Sequence, residues 1–182
     1  MSIDASITLW FNAMGQPWLD PIVRTLTRPI TWVPLYVLLA VLLWRQLGWR
    51  RTLLILAGAG LCVLIADQMA SGVCKPLFHR LRPTHEPQLE GLVRIVNGYR
   101  AGMYGFFSSH AANTCAIATY LSLIFRSRWL TLLLVVYAAI NCWTRLYLGV
   151  HYFGDIMTGV VWGCLTGWCI YRWLILPRMR VR

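Results

Sequence analysis

Only six of the 182 residues are Asp or Glu, and Lys75 is the sole lysine. Carboxylates this sparse and scattered form no cluster suited to magnesium, so neither a metal nor another cofactor is expected. The six cysteines, at positions 62, 74, 115, 142, 164 and 169, include no paired CxxC spacing. That excludes a zinc ribbon or redox motif and reads them as small apolar packing residues. The first twenty residues lack a basic start followed by an unbroken apolar run and a small-residue cleavage site, so no cleavable signal peptide is expected. Internal repeats and low-complexity segments are also missing. The net charge of +11 is carried almost wholly by arginine. Because those arginines sit at the ends of apolar segments and not along one soluble face, nucleic acid is not an expected partner; anionic lipid headgroups are.

What the chain has in abundance is apolar residues, at 58%, with only 13% charged. That balance fits one integral membrane domain over residues 1–182. A spanning helix needs about 20 mostly apolar residues. Five windows approach that length: Pro29 to Trp44, Thr52 to Ser71, Gly105 to Phe125, Trp129 to Trp143 and Ile156 to Tyr171. The expected fold class is therefore all-α, a polytopic membrane bundle of five to six helices. Its start, residues 1–23, reads as an interfacial amphipathic helix, because Ile7, Trp10, Phe11 and Met14 recur at three- and four-residue spacing before the break at Gly15 to Pro17. The one long polar connection, residues 72–104, is of a length that is more often functional than idle. Nothing in the pattern specifies an oligomeric state.

Counting spans puts that connection and the junction from Arg145 to Asp155 on one face. The opposite face receives nine arginines (45, 50, 51, 126, 128, 172, 178, 180 and 182) in short segments with no acid. By the positive-inside rule that face is cytoplasmic, which makes the polar loop extracytoplasmic in a bacterial-type plasma (inner) membrane. The other eight basic residues lie on the loop side, so the bare count hardly discriminates; the assignment strengthens if several of those eight serve a site.

Three short stretches on the loop face combine positive charge or hydroxyls with histidine: "KPLFHRLRP" (Lys75 to Pro83), "FFSSHAANT" (Phe106 to Thr114) and "TRLYLGVHYFGD" (Thr144 to Asp155). Lys75, Arg82 and Arg145 offer one ammonium and two guanidinium forks suited to phosphate oxygens. Pooling three cations at a membrane is costly unless an anion offsets them. His151 and Asp155 are four apart. A helix starting near Gly149 would put them on one face, where the carboxylate could fix the imidazole tautomer for nucleophilic attack. The same pair also suits a transporter's proton relay or a structural hydrogen bond. His110 supplies a second imidazole able to hold or release a proton near neutral pH, with Ser108 and the Ser109 backbone N–H as an oxyanion cradle. Asp67, within the second window, reads as a counter-charge to a nearby cation.

Together these residues resemble the type 2 phosphatidic acid phosphatase superfamily, the membrane lipid phosphate phosphatases. Its signature is K-x6-R-P, then P-S-G-H, then S-R-x5-H-x3-D. Lys75, Arg82 and Pro83 match the first block. Ser108 and His110 match the second, with Phe107 for proline and Ser109 for glycine. Arg145, His151 and Asp155 match the third, with Thr144 for serine.

The resemblance implies a metal-independent phosphatase in which His151 becomes a phosphohistidine, Asp155 supports it and His110 protonates the leaving group. Lys75, Arg82, Ser108, Ser109 and Arg145 would hold the phosphoryl oxygens. Undecaprenyl diphosphate is the first substrate expected. Phosphatidylglycerophosphate, phosphatidic acid and a lipid A phosphate stand as alternatives. A phosphotransferase that hands the phosphoryl group to a lipid hydroxyl, and a lipid-phosphate transporter that cleaves nothing, are the rival functions.

Overall fold

The computed structural model describes residues 1–180 and is all-helical in its regular structure. Two short helices come first, α1 (Ile3–Ala13) and α2 (Asp20–Leu26). Four long helices are α3 (Pro29–Leu47), α4 (Trp49–Phe78), α6 (Arg128–Tyr147) and α7 (Phe153–Arg178), each long and apolar enough to cross a membrane. Between α4 and α6 runs α5 (Ser109–Phe125), whose 17 residues fall just short of a full span. The polytopic bundle is therefore as expected. At the start, two short helices stand in place of the one amphipathic helix expected over residues 1–23.

The boundaries differ from the sequence reading in two ways that matter. α4 runs seven residues beyond Ser71, through a π-helical turn at Gln68–Cys74, so Lys75 projects from a helix and not from the loop. π turns widen the helix and occur frequently at functional sites. α7 begins at Phe153, with Tyr152 as its N-cap, so His151 lies just outside the helix.

The core is laid around α5, which is buried on Ala111, Ala112, Ala116 and Tyr120. Gly159, Gly163 and Gly167 recur every four residues along α7 against it. A Cβ at any of the three would fall under 3.0 Å from a carbonyl of Ser108, Ala112 or Ala116. Small residues at this spacing let two membrane helices touch backbone to backbone, which sets the depth of His110 against Asp155. Outward-facing Leu53, Leu64, Val135, Val161 and Leu165 stay exposed, as a lipid-facing belt requires.

α1 uses its amphipathy with the polar stripe inward. Thr8 and Asn12 are buried, whereas Ile3, Trp10 and Met14 are exposed. Phe11 packs against the bundle, so the apolar pattern noted in the sequence is divided between solvent-side and protein-side contacts.

Of the arginines assigned to the face opposite the loop, Arg182 and the side chain of Arg180 lie outside the described residues. Arg126 there donates to the Tyr171 hydroxyl at 2.9 Å.

Candidate active site

Four pieces of chain converge at the loop end of the bundle. The end of α4 carries an i, i+4, i+8 series in which Lys75 Nζ donates to Ser71 Oγ at 2.9 Å and Ser71 Oγ to Asp67 Oδ1 at 3.4 Å. Asp67 thus serves Lys75 through Ser71, the counter-charge role expected of it. Lys75 Nζ also reaches Ser109 Oγ at 3.3 Å, joining α4 to the first turn of α5.

The loop from His79 to Ser108 is pinned by an antiparallel bridge between Leu81 and Tyr104. The Gly105 N–H donates to the Arg80 carbonyl at 2.8 Å and the Arg82 N–H to the Met103 carbonyl at 3.0 Å. Gly105 permits this pairing beside the site, because a Cβ there would lie 3.1 Å from both Arg82 Cγ and Asp155 Oδ2.

Arg82 is 8% exposed and almost fully committed. Its Nε donates to the Tyr104 carbonyl at 3.1 Å, and Nη1 lies 2.8 Å from both the Val150 carbonyl and His151 Nε2. A guanidinium can only donate, so His151 Nε2 must be the acceptor and the ring proton must sit on Nδ1. Burial, then the charges of Arg82, Arg145 and Lys75, holds the imidazole well below its usual 6.5 and keeps it neutral.

The chain reaches His151 through a helix C-terminal cap. Gly149 adopts φ +64, and the Val150 N–H donates back to the Arg145 carbonyl at 3.1 Å. One turn earlier, Arg145 is 2% exposed. Its Nε and Nη2 are buried and without a hydrogen-bond partner among the described residues. A buried guanidinium with two unpaired nitrogens is expensive, and a tetrahedral anion is the group that fits that fork.

Asp155 corrects the simplest form of the His–Asp pairing. Its Oδ2 is 3.6 Å from His151 Nδ1, beyond a hydrogen bond. Because α7 starts two residues after His151, Asp155 sits at the third helical position and its Oδ2 accepts the Tyr152 N–H at 3.1 Å in a capping box. Its Oδ1 accepts from Arg80 Nη1 at 2.6 Å. The carboxylate is completely buried, beside but not bonded to the imidazole.

Ser108 is the N-cap of α5, next to Ser109. Its hydroxyl caps α5 by accepting the Ala111 N–H at 3.5 Å, and its own N–H donates to the Asp155 carbonyl at 3.0 Å. Ser109 faces Lys75, so its side chain joins the cationic group. Phe107, where a proline would match the signature, is 3% exposed and packs toward Trp162, anchoring the entry to α5 through bulk. Thr144 keeps its hydroxyl bonded to the Asn141 carbonyl at 2.8 Å.

His110 lines the polar end of a cavity of about 430 Å³ that runs between α3, α4, α5 and α6 past Tyr36, Leu39, Leu56 and Ile117. Arg94, in the long loop, is held by Asp20 at 2.5 Å and lies near the Tyr147 hydroxyl, so it is not a free phosphate ligand. No group of three or more His, Cys, Asp and Glu side chains assembles as metal ligands among the described residues.

Sequence reasoning assigned no role to Arg80, Asp4, Thr8 or Asn12, all of which support this end. The signal for three of them was present: Asp4, Thr8 and Asn12 recur every four residues on α1.

Buried cations thus surround His151, and the neighbouring His110 lines an apolar cavity, an arrangement suited to an amphiphile with an anionic head. Residues 53–176 match the PAP2 superfamily, and the chain belongs to it; it is a phosphoric ester hydrolase of membrane lipids. It is 39% identical over 170 residues to a lipid A 4'-phosphatase of Bacteroides thetaiotaomicron, covering 93% of this chain and 76% of that protein. It is 32% identical over 180 residues to a lipid A 4'-phosphatase of Porphyromonas gingivalis, covering 99% and 76%. Two crystal structures share the fold at 19% identity. Aquifex aeolicus LpxE has a TM-score of 0.72, with 95% of this chain and 97% of that one covered. A transmembrane PAP2 type phosphatidylglycerolphosphate phosphatase from Bacillus subtilis has 0.69, with 98% and 86% covered.

Proposed function

We propose that this membrane enzyme removes a phosphate from lipid A, with His151 as nucleophile. Undecaprenyl diphosphate, the substrate first expected from the sequence, yields to lipid A because both similar curated proteins are lipid A 4'-phosphatases, at 39% and 32% identity. The observation that carries the mechanism is the 2.8 Å contact between Arg82 Nη1, which can only donate, and His151 Nε2. The Nε2 lone pair faces the Arg82 guanidinium beside the unpaired donors of Arg145, where a phosphate would be held.

In the first step Nε2 forms a bond to phosphorus while the ester P–O bond breaks. The departing sugar oxygen takes a proton from His110, which burial and the Arg145 charge hold unprotonated until the negative charge of the bound phosphate offsets them, and the phosphoryl group stays on His151. Lys75, Arg82 and Arg145 offset the charge on the phosphoryl oxygens, and the first-turn N–H groups of α5 at Ser109 and His110 add donors. Asp155 offsets the positive charge that develops on the ring as Nδ1–H is drawn toward it. In the second step water attacks phosphorus, His110 accepts its proton, and the P–N bond breaks to return the electron pair to Nε2. The apolar cavity below His110 suits an acyl chain. The arginine-only face at the other end supports an extracytoplasmic site in the inner membrane.

The test is phosphate release by the detergent-purified enzyme, with EDTA present, from lipid A, undecaprenyl diphosphate and phosphatidylglycerophosphate. Lipid A should be preferred, and release should vanish in His151→Ala. Preference for another lipid overturns the substrate reading, and release that survives the substitution overturns the mechanism.

A further inference from the structure

Asp155 Oδ2 lies 3.6 Å from the imidazole, yet the closest partner of this carboxylate is Arg80 and not His151. Arg80 Nη1 lies 2.6 Å from Asp155 Oδ1, and its Nη2 lies 2.6 Å from Asp4 Oδ2. The guanidinium therefore bridges two carboxylates and lies over the Tyr152 ring, 4.2 Å from its centre. Asp4 belongs to α1, well outside the segment 53–176 that carries the family match.

α1 grips the catalytic junction at several further points. Asp4 Oδ1 accepts the Gly154 N–H at 2.8 Å and Thr8 Oγ1 accepts the Phe153 N–H at 3.0 Å. These are unpaired donors of the first turn of α7, the turn that positions Asp155. Asn12 Nδ2 donates to the Tyr147 carbonyl at 2.8 Å, just ahead of His151. One polar stripe thus holds the chain on both sides of the nucleophile.

We infer that Asp4 and Arg80 are positioning residues of the reaction, acting as one unit through which α1 sets the carboxylate of Asp155 beside His151. Arg80 supplies the positive partner that a completely buried carboxylate needs to remain charged. Asp4 fixes the orientation of that partner by holding its second nitrogen, so that Asp155 keeps one oxygen turned to the imidazole. Neither residue is hydrogen-bonded to Lys75, Arg82 or Arg145, the cations that would hold the phosphate. Their loss should therefore slow turnover and leave substrate binding unchanged.

This inference rests on the His151 mechanism above. Its test uses the full chain in detergent, with lipid A as probe, and the variants Asp4→Asn, Arg80→Ala and their combination beside His151→Ala. Asparagine still accepts the Gly154 N–H, so the charge is removed with little change to the helix cap. Arg80→Ala should lower kcat about 10- to 100-fold, and Asp4→Asn about tenfold, at constant KM; the melting temperature should fall in Arg80→Ala, which strips the buried Asp155 of its cation, and hold in Asp4→Asn. The double variant should be no slower than Arg80→Ala, as expected of coupled residues. Arg80 is 34% exposed, so added guanidinium can reach its place. It should restore kcat in Arg80→Ala and do so much less when Asp4→Asn is also present.

Effects that multiply in the double variant, guanidinium rescue indifferent to Asp4, or a KM rise at constant kcat would each overturn the inference while leaving His151 as nucleophile. Wild-type release that survives His151→Ala would overturn the mechanism and, with it, this inference.

Discussion

The two sides of the His151 ring are built on opposite principles. Around Nε2 stand Arg82 and, nearby, Arg145 and Lys75, three cations of which Lys75 reaches a carboxylate, Asp67, only through Ser71. Beyond Nδ1 stand Asp155, Arg80 and Asp4, two carboxylates sharing one guanidinium at 2.6 Å each. The first side is balanced only when an anion arrives; the second keeps a fixed excess of one negative charge, set against the positive charge that develops on the ring. A phosphatase needs this asymmetry, because charge must be recruited with the substrate on one side and stay fixed on the other throughout turnover.

The largest effect should come from disturbing the phosphate side. Arg145→Gln removes the buried, unpaired fork and should lower kcat/KM about 10²- to 10³-fold in the phosphate-release assay. A smaller loss from that substitution than from Arg80→Ala would reverse the contrast. Next, a phosphate mimic such as orthovanadate should stabilise the wild type, by about 2.7 kcal/mol at a hundred times its Kd. Thermal unfolding checks this, and the gain should shrink sharply in Arg145→Gln and persist in Asp4→Asn.

A third change tests the scaffold that brings the two sides together. Gly163→Val places a branched side chain against the Ala112 carbonyl and should destabilise the bundle by about 1–3 kcal/mol, seen as a lower melting temperature. The smallest effect concerns pH. His151 is held well below 6.5, so the unfolded chain takes up a proton on this residue before the folded one does. Its contribution to stability is therefore complete above about pH 6.5 and is lost as pH falls toward the lower folded value. Melting curves of the wild type should show that decline, and His151→Gln should remove part of it.

Much of this site was legible in the sequence, for a physical reason. Lys75, Arg82, His110, Arg145, His151 and Asp155 are ionisable groups beside apolar spans, where each needs a purpose, and the fixed spacing within each block survives any uncertainty in helix ends. What escaped was the balancing side. Arg80 sits in a loop already rich in arginine, and its partner Asp4 is 76 residues away. The inward stripe of Asp4, Thr8 and Asn12 is masked in the sequence by the apolar residues of α1, whose three- and four-residue spacing is the stronger periodic signal. The capping role of Ser108 and the long His151–Asp155 separation depend on where α5 and α7 begin, and helix boundaries are the least legible feature of a sequence. The glycine repeat on α7 was also readable, since small residues every fourth position mark close helix contact in membranes.

The most direct test of the account is to quench the wild-type enzyme during turnover of lipid A, under alkaline conditions that preserve phosphohistidine, and map the modification by mass spectrometry. The account predicts a phosphoryl group on the peptide containing His151, located on that residue, and absent from His151→Gln. Sustained phosphate release with no phosphorylated histidine at any point of the time course would contradict it.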